Sequence, residues 1–154
     1  MFLVYGVHPI TIILKDRILH RIYTKIERDL RMKKILIVED EHLFLKLLNS
    51  QLTKKGYLVY QAVNGKEGFA KAKIENPDLI LLDIKMQVMD GMTMLDLLRR
   101  DKICKKTKVI ILTNIEPDEN IIKKVIKNKP LYYFIKSDIK LFDLLGKIDQ
   151  LFPI

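Results

Sequence analysis

Six side chains, each just past a short apolar run, carry most of the chemistry this sequence can offer. They are Glu39, Asp40 and Glu41 after Ile35–Val38, Asp83 after Leu79–Leu82, Thr113 after Val109–Leu112, and Lys136 after Tyr132–Ile135. Carboxylates gathered in one crevice repel one another and raise one another's pKa values unless a cation neutralises them. Hard oxygen ligands around an open face suit Mg²⁺, or Mn²⁺ in its place, because such an ion keeps several waters and takes few protein carboxylates. A crevice of this kind makes a carboxylate into a nucleophile toward phosphorus. Asp83 attacks, while Lys136 and Thr113 contact phosphoryl oxygens whose charge is partly neutralised by the ion. The product is an aspartyl phosphate, a mixed anhydride that water cleaves, and a group that comes off again suits a switch.

Each residue alone has a blander account. The acidic run Glu39–Glu41 could merely favour the positive end of a following helix. Asp83 could be an ordinary loop carboxylate, Tyr133 a half-buried strand aromatic, and Lys136 a lysine facing water. His42 reads as a solvent-facing helix residue and not as a metal ligand. The bland accounts fail together only if the fold brings these strand ends to one place.

The spacing predicts that it does. Short apolar runs at Ile35–Val38, Tyr57–Ala62, Leu79–Leu82, Val109–Leu112 and Tyr132–Ile135 alternate with helical periodicity over about 42–55, 65–75, 91–101, 117–127 and 138–151. Turn signals fall between them at Lys55-Gly56, Asn64-Gly65, Asn76-Pro77, Asp90-Gly91 and Glu116-Pro117. Pro117 suits the first position of a helix, with Asp118 and Glu119 in its first turn. Runs such as Ile35-Leu-Ile-Val38 are apolar throughout, as expected when helices cover both faces of a parallel sheet. Five β-then-α units therefore predict a doubly wound α/β domain, whose chemistry collects outside the carboxyl ends of its strands.

These residues also carry a family resemblance. Lys33-Lys-Ile-Leu-Ile-Val-Glu-Asp-Glu41, Pro77-Asp-Leu-Ile-Leu-Leu-Asp83, Val88-Met-Asp-Gly91, Val109-Ile-Ile-Leu-Thr113 and Tyr133-Phe-Ile-Lys136 resemble the receiver domains of bacterial response regulators. The resemblance runs from Met32 to the C-terminus. It implies a flavodoxin-like (βα)5 fold with a five-stranded parallel sheet, here preceded by an N-terminal extension over residues 1–31. It implies Asp83 as phosphoacceptor, Asp40 as direct metal ligand, Glu39 as an acid acting through water, and the backbone carbonyl of Lys85 as a third protein ligand. It implies Thr113 and Tyr133 as a switch pair and Lys136 as the essential lysine. By the same resemblance, the switch pair reshapes the face of the fourth helix, fifth strand and fifth helix. The implied phosphodonor is a histidine kinase or phosphotransfer protein, and the signal leaves through a downstream protein target.

The sequence departs from the family in several loops. Ser137 replaces the usual proline after the lysine, Gln87 follows Met86 where proline is common, Asn114 is bulkier than the usual small residue, and Lys129-Pro130 replaces Gly-Ala. Lys85 and Ile115 occupy positions that tune hydrolysis. An apolar Ile115 should crowd out the attacking water, and a protonated Lys85 cannot act as its base, so slow self-dephosphorylation is expected.

Two other function classes compete: a phosphorylation-independent receiver-like binding module, and a metal-dependent phosphatase with an Asp nucleophile. The intact acceptor constellation argues against the first. The second normally wants an acid two residues after the nucleophile, where Lys85 stands. The expectation is a stand-alone switch and not an enzyme with an external substrate, because the sequence stops at Ile154 just past the fifth helix. A phosphorylation-dependent homodimer stays open.

Composition sets the remaining bounds. The chain has 154 residues, 49% hydrophobic and 31% charged, which reads as one soluble domain. Lys plus Arg number 28 against 19 Asp plus Glu, a net charge of +9 spread along the chain. No recognised motif turns that surplus into direct nucleic-acid binding. The fourth helix and its exit carry Lys123, Lys124, Lys127 and Lys129, which suit an acidic target surface, while a solvated helix face is the simpler account of the same residues. Cys104, the single cysteine, cannot form an internal disulfide, which fits a reducing cytoplasm, and it reads as a half-buried bystander. The apolar stretch Met1–Leu14 is too short to span a bilayer and lacks the marks of a secretory signal. Ile10–Leu14 could form a strand. Ile18, Ile22, Ile26 and Leu30 suit one helical face, so residues 1–31 are either a helical extension that docks or dimerises, or an upstream start assigned in error.

Overall fold

The computed structural model describes residues 17–153; the expected strand at Ile10–Leu14 lies outside them. The chain divides between Met32 and Lys33 into two units. The described residues of the first carry a helix, Arg17–Arg31, on which Leu19, Ile22 and Ile26 are each about half exposed. Among the described residues, no helix is long and apolar enough to cross a membrane.

The second unit is a five-stranded parallel sheet in the order β2-β1-β3-β4-β5. Its strands are β1 (Lys34–Val38), β2 (Leu58–Ala62), β3 (Leu79–Leu82), β4 (Lys108–Thr113) and β5 (Tyr132–Ile135). Its helices are α1 (His42–Lys54), α2 (Gly65–Glu75), α3 (Gly91–Arg100), α4 (Glu119–Asn128) and α5 (Leu141–Leu151). Successive strand residues point to opposite faces, so the continuous apolar runs feed two cores. Leu36, Val38, Ile80, Leu82 and Ile111 meet Leu95 and Leu98 of α3 on one side. Ile35, Ile37, Leu79, Leu81 and Ile110 meet Leu48 of α1 and Ile148 of α5 on the other. Each fully buried Leu or Ile contributes about 1.5–3 kcal/mol, so side-chain packing fixes the sheet. Its register aligns Val38 with Leu82, Leu82 with Ile111, and Thr113 with Ile135. The carboxyl ends of four strands thus arrive together.

Local chemistry sets the helix starts. Asn64 accepts the Glu67 N–H at 2.9 Å, and Glu67 in return accepts the Val63 N–H at 3.1 Å, a reciprocal cap. Asp90 accepts the Thr93 N–H at 2.9 Å. Two expectations are corrected here. Helix α4 begins at Glu119 and not at Pro117, because the Asp118 carboxylate accepts the Ile121 N–H at 2.8 Å and so makes Asp118 the capping residue. Cys104 is fully buried, not half-buried, and burial pushes its thiol pKa up.

Candidate functional site

The backbone ladder continues one residue past the strands. Glu39 N–H donates to Ala62 O at 2.9 Å, Asp83 N–H to Val38 O at 3.0 Å, and Lys136 N–H to Thr113 O at 2.8 Å. The residues expected to do chemistry therefore stand on fixed backbone. Asp138 and Ile139 N–H groups both donate to Ile135 O, at 3.0 and 3.2 Å, closing a turn around Ser137. That turn holds the lysine loop, and it delays the start of α5 to Leu141.

Gly91 fixes the approach of α3. A methyl group at this position would sit 2.0 Å from the Asp83 carbonyl oxygen, closer than any real contact. The Gly91 N–H donates to Ile84 O at 2.9 Å. The Asp-Gly pair thus does two jobs: Asp90 caps the helix, and Gly91 lets its first turn lie against the backbone of Asp83.

These constraints converge on a pocket of about 420 Å³ lined by Glu39, Asp40, Asp83, Lys85, Thr113 and Lys136, together with Glu41, Asn114 and Ile115. Asp83 is only 6% exposed, yet it lines this open hollow. Its Oδ1 accepts the Ile84 N–H at 2.7 Å and the Lys85 N–H at 3.3 Å, and its Oδ2 accepts Lys136 Nζ at 3.1 Å. Lys136 Nζ also lies 2.6 Å from Glu39 Oε2, and it sits 4.8 Å from the centre of the Phe44 ring. Burial lowers the lysine pKa, but the Glu39 hydrogen bond and the Asp83 charge outweigh it, so the net shift is upward. Burial pushes the Glu39 carboxyl up to about 7, against the hydrogen bonds from Lys136 and the Glu41 N–H.

The donor set fits a hard divalent cation. One carboxylate oxygen from each of Glu39, Asp40 and Asp83 lies within 4.8 Å of the others, and Asp40 is exposed at the rim. Octahedral Mg²⁺ with oxygens at about 2.0–2.1 Å needs ligand separations no wider than about 4.2 Å, and it tolerates water in the remaining positions. Small side-chain adjustments suffice.

The structure gathers six of the seven expected site residues around one hollow. Tyr133 is the exception. It is half-buried beside the hollow, and its hydroxyl donates to Ile115 O at 2.7 Å. Burial, then the charges of Glu116, Asp118 and Asp83, push that hydroxyl up to about 12, so it stays a donor. Thr113 is fully buried, and its Oγ1 accepts the Ile115 N–H at 3.4 Å. His42 is exposed. Phe44 escaped sequence reasoning, because an aromatic on an amphipathic helix reads as core, and nothing local marks it as a platform for a lysine from β5.

Comparison with known proteins agrees with this architecture. A family model described as the response regulator receiver domain matches residues 35–148. Sporulation initiation phosphotransferase F of Bacillus subtilis is 42% identical over 82 residues, 53% of this chain and 64% of that protein. The alkaline phosphatase synthesis transcriptional regulatory protein PhoP of the same organism is 42% identical over 71 residues, 46% of this chain and 30% of that protein. The matched segments thus span less than two thirds of these relatives. Among solved structures, the chemotaxis protein CheY4 of Vibrio cholerae superposes with a TM-score of 0.69 at 26% identity, covering 77% of this chain and 98% of that one. A CheY-like receiver domain from Methanospirillum hungatei gives 0.71 at 29% identity, with 78% and 93% covered. Five parallel strands in this order, an acid-lined hollow at their carboxyl ends and a family match across most of the second unit lead to one assignment: this chain belongs to the response regulator receiver domains of two-component signalling.

Proposed function

We propose that residues 32–154 are a cytoplasmic phosphoryl-accepting switch in which Asp83 is the acceptor, with residues 1–31 an extension outside the chemistry. The observation that carries this reading is the Asp83 carboxylate itself, which lines an open hollow with Lys136 Nζ at 3.1 Å and the Glu39 and Asp40 carboxylates within 4.8 Å. Asp40 and Asp83 would hold Mg²⁺ directly, Glu39 through water, and the Lys85 carbonyl would complete the protein ligands. When bound, the ion supplies charge neutralisation to the phosphoryl oxygens.

The chain's own groups do the rest. Two backbone N–H groups hold Asp83 Oδ1, which leaves Oδ2 to attack phosphorus. As the Oδ2–P bond forms, the N–P bond of a phosphohistidine on a histidine kinase or phosphotransfer protein breaks, and the imidazole leaves with the electron pair. Lys136 stays protonated and exchanges Asp83 for a phosphoryl oxygen. Thr113 turns its hydroxyl toward the same group, and Tyr133 follows through the loop that its hydroxyl already holds at Ile115. The output surface is α4, β5 and α5, where Ile122, Ile126 and Phe142 are exposed apolar side chains suited to a protein partner or a second phosphorylated copy. Ile115 lines the hollow and restricts water, which favours slow hydrolysis.

Incubation with acetyl phosphate and Mg²⁺, read by intact mass, tests this reading. We expect the mass of one phosphoryl group to appear in the wild type and to be absent in Asp83→Ala. Equal uptake by the two proteins would exclude Asp83 as acceptor, and steady turnover of a phosphate ester would favour the phosphatase reading.

A further inference from the structure

The edge of the sheet opposite the acceptor has a chemistry of its own. Loops that precede the strands line two hollows there, of about 450 and 380 Å³, and the hollows share Lys106, Thr107 and Lys108. The smaller is walled by Arg99, Lys105, Lys106, Lys108, Lys127 and Lys129, with no carboxylate among its lining residues. Parallel strands put all these loops on one edge, so cations far apart in sequence become neighbours.

Nearby acids are already engaged. Asp78 accepts Lys33 Nζ at 3.0 Å and the Lys34 N–H at 2.9 Å. Asp96 accepts Lys127 Nζ at 3.1 Å and Asn128 Nδ2 at 2.9 Å. Asp101 accepts the Ile103 and Cys104 N–H groups at 2.8 and 3.1 Å. The ammonium groups of Lys105, Lys106 and Lys129 have no acidic partner among the described residues. Their backbone is also held. Arg99 donates to Asn128 O at 2.7 Å, Thr107 O at 3.0 Å and Lys105 O at 3.3 Å, tying the end of α3 to the next loop and to the end of α4. The cations therefore surround a fixed concavity and do not ride on a loose loop.

We propose that this trough, centred on Lys105, Lys106 and Lys129, is a docking site for an aspartate- or glutamate-rich segment of a partner protein. Three features select that occupant. Arg99 spends its guanidinium on carbonyls, so no free fork is left for bidentate phosphate recognition, whereas flexible lysines suit single carboxylates. The aromatic ring of the adjoining hollow, Phe152, has Lys108 at 4.8 Å and Lys33 at 5.6 Å over it and Tyr57 against it, so it is not free to stack a nucleobase. A bilayer calls for a broad, outward-facing surface, whereas these cations surround a hollow. The site is independent of the acceptor and leaves it open, so docking and phosphoryl transfer can coexist.

Fluorescence anisotropy of a labelled oligoglutamate peptide against the full chain tests the proposal. Binding should weaken steadily with added salt. The Kd should rise roughly tenfold or more in the triple variant Lys105→Glu, Lys106→Glu, Lys129→Glu. The neutral triple variant to Gln should lie between, which covers the case in which charge reversal impairs folding, and phosphoryl uptake from acetyl phosphate should be unchanged in both. Absence of peptide binding at low salt, wild-type affinity in both variants, tighter binding of oligothymidylate, or preferential capture by phosphatidylserine vesicles would each overturn it.

Discussion

Replacing Gly91 by alanine is the sharpest single test of how the fold positions Asp83, the proposed acceptor. The added methyl would stand 2.0 Å from the Asp83 carbonyl oxygen and 2.9 Å from its carbonyl carbon. Carbon and oxygen settle at about 3.3 Å or more, so one backbone must retreat by roughly 1.3 Å. Neither is free to do so. The Gly91 N–H is bonded to Ile84 O at 2.9 Å, and the Asp83 N–H is bonded to Val38 O at 3.0 Å. Overpacking of this kind costs about 1–3 kcal/mol, and a displacement near 1 Å at a reacting group can cost about a hundredfold in rate. We expect Gly91→Ala to unfold in urea with a loss of about 1–3 kcal/mol. It should also take up phosphoryl groups from acetyl phosphate at least roughly tenfold more slowly under conditions where circular dichroism shows it folded. Gly146→Ala in α5 is the control, because nothing lies within 4 Å of its added methyl; it should gain roughly 0.5–1 kcal/mol from helix propensity. A Gly91→Ala protein with wild-type stability and uptake would refute the view that this contact positions Asp83.

Other perturbations have definite signs. Val88 is held at φ 69 while 78% exposed, so Val88→Gly should raise urea stability by roughly 0.5–1 kcal/mol, the left-handed strain relieved less the entropy of glycine. Lys136→Met should lower phosphoryl uptake by roughly tenfold or more, yet it should not weaken Mg²⁺ binding in calorimetry, because the ammonium, paired with Glu39 and Asp83, would compete with an ion held there. Hydrogen bonds from Lys55 and then Tyr57 hold Asp149 below its ordinary value, so its stabilisation is present above the unfolded pKa and is lost as pH falls through the folded one. Asp149→Asn should therefore cost up to about 1 kcal/mol near pH 7, with the difference from wild type closing below about pH 4.

The strands were legible because burial on both faces leaves an unbroken apolar signature, and turn residues bracket it. Asp83, Thr113 and Lys136 were legible as positions because each follows such a run directly. What escaped is non-local or turns on competition between neighbours. Asp118 displaced Pro117 as the start of α4 because its side-chain cap satisfies a backbone donor. The turn around Ser137 consumed residues whose periodicity looked helical. Phe44 under Lys136 and the lysine trough join segments that meet only in the folded sheet, and nothing in Met86-Gln-Val-Met89 announced that Val88 adopts a left-handed backbone.

The most direct measurement of the central claim is chemical trapping of the acceptor. Treat the chain with acetyl phosphate and Mg²⁺, reduce with borohydride, and map the peptides by mass spectrometry. An acyl phosphate on Asp83 is reduced to homoserine at that position and nowhere else. Homoserine derived from Asp40, a reduced glutamate at Glu39, or no reduced side chain after full incubation would contradict it.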